Sequence, residues 1–420
     1  MTAALPVAKP SVVVIGAGAA GLSLAHWLTG RGNASGTPVE VTVVEAADER
    51  VRSAARTWCF WDDWPGEYEE AVAAQWSRLR VTGPDGEVVG IATDPLRYRM
   101  VRSEALEALL HERLVARSGV RLLRATVEEV FPEPDGSRGA RVVARDAAGR
   151  TVTLSGRYVF DSRPATRLPP ARTTLLQHFR GWFVRTDRPR FDPQCAHLMD
   201  FRVPQPRRGL AFGYVLPLDV DRALVEFTEF SRRPLTASGY EDALDHYTRR
   251  VLGLGGFRVE DVEQGVIPMT DGRFVRRVSR DHYRIGAAGG ATRPSTGYTF
   301  AAIQRQSRDI ASALGRGQDH DLVAAAYGRR ALAMDAVLLR ALDTGRIDGP
   351  RFFTELFRRT PGDLLLRFLD GRTTVAEDVR IGLRCPVGPM LRCAAELPFV
   401  RRRSAGRVAR SGSAERSADR

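Results

Sequence analysis

The chain has 420 residues, of which 43% are hydrophobic and 27% charged. This composition is typical of a globular protein with a sizeable core and argues against a disordered or fibrous one. The sequence has no apolar run of the roughly 18 residues that a transmembrane helix needs, and its N-terminus lacks a signal-peptide pattern. We therefore expect a cytoplasmic protein without a membrane span.

The net charge of +13 and the cysteines limit the partners that we expect. Residues 401–420 are polar and arginine-rich, which predicts a disordered basic tail. No helix-turn-helix, zinc-finger or aromatic RNA-binding pattern accompanies the charge, so we expect no nucleic acid and favour an anionic membrane surface. The scattered cysteines Cys59, Cys195, Cys385 and Cys393 form no C-x-x-C pair. We expect them to be free thiols, and we expect no metal site.

The start of the chain has the pattern of a β-α-β unit. Residues 11–16 (SVVVIG) are a short β-branched run ending in glycine, which is typical of a buried parallel strand. Residues 19–31 predict a helix, and residues 39–45 (VEVTVVE) predict a second strand. Two parallel strands joined by a helix require a right-handed crossover.

The turn between the first strand and the helix matches G-x-G-x-x-G. The first glycine allows the tight turn, the second lets the backbone approach a pyrophosphate, and the third allows helix and strand to pack closely. The helix N-terminus then presents free N–H groups to phosphates, and an acid ending the second strand can bind the ribose hydroxyls. The expected dinucleotide contacts are Gly16, Gly18, Ala19, Ala20, Gly21 and Glu45.

Further along the chain, the pattern predicts a helix over 103–114 and strands near 120–130, 140–145 and 151–160. A mixed or antiparallel sheet that floors a ligand cavity follows. Its expected strands are His178–Val184, Ala196–Phe201, Leu210–Leu216 and Ala223–Phe230. Helices are expected over 240–252 and 298–342.

Residues 351–399 combine apolar clusters with arginines. The clusters are Phe352, Phe353, Leu356 and Phe357, followed by Leu364, Leu365, Leu366, Phe368 and Leu369. Two interpretations are open for this segment. It forms either ordinary amphipathic helices packed on the core or a surface that leans into the bilayer interface.

Two further features favour FAD over NAD. The glycine motif lies at the start of the chain, as in large flavoproteins, and Arg56 and Arg102 are spaced as flavin proteins place arginines around the cofactor; solvated surface charges are the alternative. A second glycine-rich segment is similar to the second FAD motif of flavin hydroxylases, but Ala287 stands where those proteins carry aspartate. The expected FAD contacts there are Gly286, Gly289, Gly290, Thr296 and Gly297.

Many separate blocks resemble the lycopene cyclases, the flavin-dependent carotenoid cyclases of bacteria and plants, and most closely the lycopene β-cyclases. The blocks follow the family's order over roughly residues 11–385. They are Arg56–Trp61, Phe160–Pro164, Gln177–Trp182, Met199–Arg202, Phe212–Leu218, Ala223–Ser231, Gly265–Met269, Gly286–Gly290 and Pro294–Tyr298. The resemblance implies FAD binding, with Asp161 among the cofactor contacts. The family also lacks the hydroxylase aspartate.

The resemblance implies a cyclisation with no net redox change. An acid protonates C2 of the terminal C1=C2 double bond of lycopene or a similar carotenoid. The C5=C6 bond then attacks the cation at C1, and loss of the C6 proton gives the β ring. The FAD must be reduced, with NAD(P)H or another donor as the electron source. Because the substrate dissolves only in lipid, we expect a protein that is peripheral to the membrane.

Glu226 is the candidate acid. It lies in an apolar strand, and alternation places it on the same face as Leu224 and Thr228 and opposite Glu229. A carboxyl that faces an apolar tunnel keeps its neutral form and can donate a proton near neutral pH. The family's acid-bearing strand motif also falls on Glu226. A solvent-facing strand glutamate is the alternative.

Other residues near the predicted tunnel have less specific roles. We expect Glu229 to be structural, and Asp200 either to pair with Arg202 or to stand near the flavin. A set of aromatic residues could line the tunnel and stabilise a cation through ring faces. The set comprises Trp58, Phe60, Trp61, Phe179, Trp182, Phe212 and Tyr214.

The predicted fold class is α/β, a Rossmann-type FAD-binding domain with an inserted mixed β-sheet substrate domain and C-terminal helices. The predicted units are 1–130 with 265–320 for FAD, 131–264 for substrate, 321–400 as a helical segment and 401–420 as the tail. The predicted function is lycopene β-cyclase. The rivals are a flavin monooxygenase or prenyl reductase, and a flavin-binding scaffold. The final base stays open between Glu226, the flavin and Asp200, as do the number and type of rings, the substrate range, the reductant and the oligomeric state.

Overall fold

The structure, a computed structural model, describes residues 11–30, 39–52, 54–63 and 66–404. Its strands are β1 (Ser11–Ile15), β2 (Glu40–Glu45), β3 (Thr57–Asp62), β4 (Val72–Trp76), β5 (Arg78–Thr82), β6 (Val88–Ala92), β7 (Arg97–Arg102), β8 (Val120–Pro132), β9 (Ala140–Asp146), β10 (Thr151–Gly156), β11 (Tyr158–Asp161), β12 (Thr174–Thr186), β13 (Cys195–Asp200), β14 (Leu210–Pro217), β15 (Arg222–Ser231), β16 (Phe257–Thr270) and β17 (His282–Arg284). Its helices are α1 (Ala19–Thr29), α2 (Ser103–Val115), α3 (Ala237–Asp245), α4 (Phe300–Gly315), α5 (Arg329–Thr344), α6 (Gly349–Arg359), α7 (Gly362–Leu369), α8 (Val375–Gly382) and α9 (Val387–Glu396).

The first sheet has the strand order β10-β9-β8-β2-β1-β11-β17. Strand β1 lies between β2 and β11 and runs parallel to both. Val12 and Val14 pack in the same core as α1 and α4, whereas Val13 and Ile15 pack with Val142 and the rest of the β8-β9-β10 meander. Because β1 is buried on both faces, its sequence is a continuous β-branched run, and the predicted β-α-β unit is confirmed.

The second sheet is mixed, with the order β16-β12-β15-β14-β13-β5-β6. Its neighbouring strands are antiparallel except for β13 and β5, which are parallel. One face packs against α3 and the π-helical turn His246–Val251 that follows it. The other face packs against the three-stranded sheet β3-β7-β4 and the C-terminal helices. This second face contains the candidate acid.

The division of the chain between the two sheets differs from the predicted domain boundaries. Position 131 lies inside β8 and position 265 lies inside β16. Strands β9 to β11 belong to the first sheet, although they were assigned to the substrate unit, and β5 and β6 belong to the second. The chain crosses between the sheets several times, and an alternating pattern identifies a strand without identifying its partner.

The structure of the C-terminal segment bears on two further expectations, the bilayer surface at 351–399 and the disordered tail at 401–420. Phe352, Phe353, Leu356 and Phe357 are buried, so these residues of α6 pack on the core and do not form a bilayer surface. The prediction of disorder from 401 onward is wrong at its start, because the backbone of Arg403 exchanges hydrogen bonds of 2.7 and 3.0 Å with Ala171. Residues 405–420 lie outside the described residues. Within the described ranges, no helix is long and apolar enough to cross a bilayer.

Candidate active site

The glycine loop after β1 is built for close approach to a ligand. Gly16 has a φ of +98°, and a Cβ there would lie 2.3 Å from the hydroxyl of Ser162. A Cβ at Gly21 would lie 1.8 Å from the carbonyl oxygen of Gly16, so the helix packs directly on the turn. A Cβ at Gly18, the N-cap of α1, would meet nothing within 4 Å. The first and third glycines are therefore required by the fold, while the second leaves open space at the positive end of a helix.

The second glycine-rich segment contacts the first. Gly286 has a φ of +61°, and a Cβ there would lie 2.7 Å from the Cβ of Ala20. Gly297 reaches the second sheet, because a Cβ there would lie 2.3 Å from the Oε1 of Gln177 on β12. The buried Oγ1 of Thr296 and the Oε1 of Gln177 have no hydrogen-bond partner within the described chain. Open space at a helix N-terminus and orphaned polar atoms next to the second sheet fit an extended dinucleotide that runs from one to the other.

Two more of the expected glycines shape this turn. A Cβ at Gly289 would lie 2.4 Å from the carbonyl oxygen of Arg284, which makes this position another close packing point. Gly290 has a φ of +82° and closes the 3-10 turn Gly286–Gly289. Both positions thus hold the shape of the loop, and Gly286 brings that loop to α1.

Glu45 lies at the carboxyl end of β2, as the ribose contact requires. It is paired with Arg52 at 3.2 Å and with Arg124 at 3.8 Å, and about a third of its side chain is exposed. The backbone N–H of Gly16 donates to the carbonyl oxygen of Val44 at 2.9 Å, which fixes the glycine loop beside Glu45. The carboxylate is thus held at the rim of the open space.

Two of the three other expected cofactor contacts are engaged within the protein. Arg102 pairs with Asp261 at 3.0 Å and lies on a protein ring rather than in the glycine-lined space. Asp161 accepts a hydrogen bond of 2.8 Å from Arg163. Burial alone would raise the pKa of Asp161, but the His282 ring 3.7 Å away and the hydrogen-bonded guanidinium of Arg163 outweigh it and hold the value at about 2. Arg56 is half-buried, and its guanidinium forms no ion pair within the described part of the chain.

The candidate acid stands in a row of side chains that crosses the second sheet. Glu226 on β15 is directly opposite Gly181 on β12, and Gly181 is directly opposite Glu263 on β16. On its other side, Glu226 is opposite Tyr214 on β14. Directly opposed residues project from the same face, and strands two apart are separated by about 10 Å. The two carboxyl groups therefore lie on either side of Gly181, where a Cβ would come within 2.8 Å of the Cδ1 of Leu224, so the glycine makes room for that side chain.

Glu226 is buried, with 8% of its surface exposed. The hydroxyl of Thr228 donates a hydrogen bond of 2.5 Å to its Oε1. Burial raises the pKa of Glu226 to about 8, and the charge of Glu263 raises it further, while the bond from Thr228 opposes the shift. Glu226 is thus a carboxylic acid that keeps its proton at neutral pH.

Glu263 is buried on the same face of the second sheet as Glu226, but its carboxyl group has different hydrogen-bond partners. It accepts hydrogen bonds from the backbone N–H and the hydroxyl of Thr57, at 2.7 and 2.6 Å. Burial raises its pKa, whereas the Thr57 bonds and the charges of Arg102 and Arg56 lower it. The net pKa of Glu263 is also raised, with burial as the largest cause, but its two donors and two nearby cations stabilise the ionised form more than the single donor of Glu226 does.

Hydroxyl and aromatic groups close the space above this row. The hydroxyl of Tyr98 lies 2.6 Å from that of Tyr214 and 3.0 Å from that of Tyr298. The hydroxyl of Tyr214 donates to the Sγ of Cys59 at 3.2 Å. The rings of Trp61 and Tyr298 meet edge to face at 4.7 Å. A narrow cavity adjoins this group, and Cys59, Trp61 and Tyr298 line part of it.

The family model described as lycopene cyclase protein matches residues 11–395. The chain belongs to the lycopene cyclase family. No curated protein sequence matches it.

Solved structures share the fold of this family member at low identity. A flavoprotein/dehydrogenase from Cytophaga hutchinsonii is 12% identical with a TM-score of 0.61, over 93% of this chain and 99% of that one. The p-nitrophenol 4-monooxygenase PnpA from Pseudomonas putida DLL-E4 is 15% identical with a TM-score of 0.57, over 94% and 99%. The flavin-dependent monooxygenase PieE, solved with FAD and substrate, is 14% identical with a TM-score of 0.57, over 94% and 73%. The predicted fold class is confirmed.

Other residues that the lycopene cyclase resemblance brought forward lie on the far face of the second sheet. Glu229 points away from Glu226, with an oxygen 3.7 Å from the Nε2 of His178. Asp200 pairs with Arg202 at 2.6 Å, which decides between the two roles expected for it. Both acids are separated from Glu226 by the sheet itself.

The expected aromatic lining is only partly present. Trp61 and Tyr214 stand at the cavity and the row. Trp182 packs on the far face with the core of α3, so its inclusion in the lining is wrong. Phe60 also lines the cavity, and its ring lies 4.8 Å from that of Phe300 at the start of α4. Trp58 stacks on Phe300 at 5.8 Å and is not among the residues that line the cavity.

Sequence reasoning predicted Tyr214 but missed Glu263, Thr57 and the hydroxyl group of Tyr98 that joins Tyr214 to Tyr298. Most residues near Glu263 on β16 are exposed, so the strand has the composition of a solvated edge. The register with Gly181 makes Glu263 buried, and register is set by pairing that one sequence does not reveal. Gly265, which forms part of the block 265–269, was the available indication that β16 approaches another strand closely, because a Cβ there would lie 2.5 Å from the ring of Phe179.

Proposed function

We propose that the protein is a lycopene β-cyclase that binds FAD, works with the flavin reduced and cyclises ψ end groups to β rings. The observation that carries the proposal is the burial of Glu226 beside aromatic residues and hydroxyl groups, which raises its pKa to about 8. Membership of the lycopene cyclase family and the open glycine loop at α1 support it. In this proposal NAD(P)H is one donor that can reduce the flavin, and the substrate comes from the membrane.

Glu226 supplies the proton. A carboxyl whose pKa lies near 8 is protonated at neutral pH, and burial makes its ionised product costly, so transfer needs an alkene held in contact with it. The proton goes to C2 of the C1=C2 bond, and the C5=C6 bond closes the ring at C1. Bound reduced FAD supplies negative charge that stabilises the cationic end group.

The surroundings protect the cation. The rings of Trp61 and Tyr298 offer faces that attract positive charge. The hydroxyl of Tyr98 is hydrogen-bonded to those of Tyr214 and Tyr298, which holds these three groups in fixed positions. Burial keeps bulk water away from the reacting carbons, and this exclusion prevents capture of the cation as an alcohol.

The negative charge of Glu263 favours the return of a proton to Glu226 after the donation step. After donation, Glu226 and Glu263 are both ionised in one buried row, and this arrangement is unfavourable. Recovery of a proton from C6 removes the repulsion and restores the acid. We therefore propose Glu226 as the final base as well. Asp200, the alternative among side chains, lies on the far face with Arg202.

The test compares two glutamates on one strand. Glu226→Gln removes the transferable proton and keeps the side-chain volume, so we expect cyclisation of lycopene to fall at least about a thousandfold. Glu229→Gln changes a half-buried carboxyl on the opposite face, and we expect activity within about twofold of wild type. The measurement is chromatography of the carotenoids after incubation with lycopene in vesicles and reduced FAD, with flavin content as the folding control. Equal activity of the two variants would contradict the proposal.

A further inference from the structure

Two consecutive C-terminal helices expose apolar side chains at helical spacing. On and just after α8, Val375, Val379 and Leu383 are 59%, 56% and 73% exposed. On α9, Val387 and Leu391 are 43% and 63% exposed. Steps of four residues place each set on one face of its helix. These helices therefore turn apolar faces outward while their neighbours α6 and α7 bury theirs.

The apolar stripes continue into the turn that follows α9. Phe399 lies in the 3-10 turn Leu397–Phe399, and 85% of its surface is exposed. A large aromatic side chain at such exposure is uncommon on a soluble surface unless something covers it. We call the whole set the docking surface. It comprises Val375, Val379, Leu383, Val387, Leu391 and Phe399 with the exposed arginines Arg372, Arg380, Arg392 and Arg401.

The exposed charge of the segment that contains the docking surface is positive. Residues 370–404 contain four acids, and each is held by an arginine that lies outside the docking surface. Asp370 pairs with Arg305, Glu377 with Arg367, Asp378 with Arg330, and Glu396 with Arg340 and Arg346. The arginines of the docking surface therefore stand among apolar side chains, and the acids of this segment pair with other arginines. Exposed apolar stripes flanked by arginines match the chemistry of an anionic lipid surface.

The docking surface adjoins the candidate active site. Asp370, at the end of α7, lines the narrow cavity of the candidate active site together with Trp61, Tyr298 and Tyr327. A short loop leads from Asp370 to Val375, the first exposed apolar residue of α8. A lipophilic molecule that leaves a bilayer at these helices would thus have a short path to the aromatic lining.

We infer that α8, α9 and the turn at Phe399 dock the protein on an anionic phospholipid bilayer, with the apolar side chains entering the interface and the arginines meeting the headgroups. The choice of a lipid partner rests on the proposed function, since a carotenoid substrate resides in the bilayer. The exposed stripe and its charge are independent of that function.

The experiment measures sedimentation of the full chain, loaded with FAD, with vesicles of phosphatidylcholine alone or mixed with phosphatidylglycerol, and without carotenoid. Leu383→Gln/Leu391→Gln removes two apolar side chains from the docking surface. Val88→Gln/Val115→Gln is the matched control, because these valines are 59% and 64% exposed elsewhere. We expect the first pair to weaken binding to mixed vesicles at least about tenfold and the control to leave it unchanged. Arg380→Gln/Arg392→Gln should remove most of the preference for phosphatidylglycerol, as should high salt.

Three results would overturn the inference. The first is wild type that stays in the supernatant with mixed vesicles. The second is a Leu383/Leu391 variant that binds as wild type does. The third is wild type that self-associates without vesicles while the same variant stays monomeric, which would make this face a contact between copies of the chain. Cyclisation in detergent micelles separates this inference from the proposed function. Vesicle binding without cyclisation in micelles overturns only the function, whereas cyclisation in micelles without vesicle binding overturns only the docking surface.

Discussion

At the scale of single residues, two buried glutamates in one row have opposite tasks because their hydrogen-bond partners differ. Glu263 accepts two hydrogen bonds from Thr57, which stabilise its charge. Glu226 accepts one, from Thr228. A pair of carboxyl groups whose surroundings separate their pKa values is a general device for holding an acid ready at neutral pH.

This division of tasks predicts a specific pH dependence. Glu226 must be protonated to donate, so cyclisation by wild type should be constant at neutral pH and fall as the pH rises through about 8. Glu263→Gln removes a negative charge near Glu226 but keeps an acceptor for Thr57. The pKa of Glu226 should fall, since the repulsion is gone, and the loss of activity should begin at a lower pH. The measurement is the initial rate against pH at saturating lycopene.

A carboxylate on the surface of the same strand is the control for this shift. Glu260 pairs with Arg185 and Arg222 at 2.8 and 3.0 Å, and Glu260→Gln should leave the pH profile unmoved. Glu263→Asp keeps the charge and should retain the high-pH limb. If Glu263→Gln lowered the rate equally at every pH, its role would be structural and our assignment of charge would be wrong.

At the scale of elements, the turn after β1 separates packing from ligand binding within six residues. Gly21 allows α1 to lie against the carbonyl of Gly16, whereas Gly18 borders open space. Gly18 has a φ of −90°, which a side chain accepts without strain. Gly21 is therefore needed for packing and Gly18 for access to the open space, although both are glycines of one motif.

Substitution of Gly18 should therefore affect FAD binding, whereas substitution of Gly21 should affect the stability of the fold. Gly18→Val should leave the unfolding free energy of the flavin-free protein nearly unchanged and weaken FAD binding at least about tenfold, because its methyl groups fill the phosphate approach. Gly21→Val should lower the unfolding free energy by about 2 kcal/mol or more through overpacking against Gly16. Urea unfolding of the flavin-free proteins and a flavin titration measure the two quantities. A Gly18 variant that binds FAD as wild type does would place the cofactor elsewhere.

The same contrast explains what the sequence could predict about the site. The β-α-β unit, the roles of Gly16 and Gly21 and the orientation of Glu226 follow from local spacing, and the structure agrees with all of them. Glu263 could not be found in this way, because its position depends on the pairing of β16 with β12 across Gly181. Trp182 was misplaced for a related reason, since the expected cluster ignored which face each aromatic side chain occupies.

At the scale of the whole molecule, the candidate site lies where the second sheet meets the small sheet and the loop that carries Thr296 and Gly297. Thr57 on β3 bonds Glu263 on β16, and Gly297 touches Gln177 on β12. Both contacts are made to strands of the sheet that carries Glu226, so the end of the glycine-lined space and the candidate acid are held against the same sheet. Neither contact follows from sequence periodicity, because both join segments more than a hundred residues apart.

The C-terminal helices illustrate a further limit of the sequence. Their amphipathic pattern permits either packing or exposure, and the structure contains both outcomes. Helix α6 buries Phe352 and Phe353, whereas α8 and α9 expose Leu383 and Leu391. Whether the apolar face of a helix is buried depends on how much core surface the other helices leave uncovered. That area is set by the whole fold and not by the sequence of one helix.

The most direct test of the central claim is anaerobic. Purified protein is mixed with lycopene in vesicles and either chemically reduced or oxidised FAD, and the pigments and the flavin spectrum are followed together. We expect β-ring products only with reduced FAD and no net oxidation of the flavin, because cyclisation moves a proton and leaves the electron count unchanged. Unchanged lycopene in both mixtures with flavin bound, or products formed in step with flavin oxidation, would contradict a non-redox cyclase that acts through Glu226.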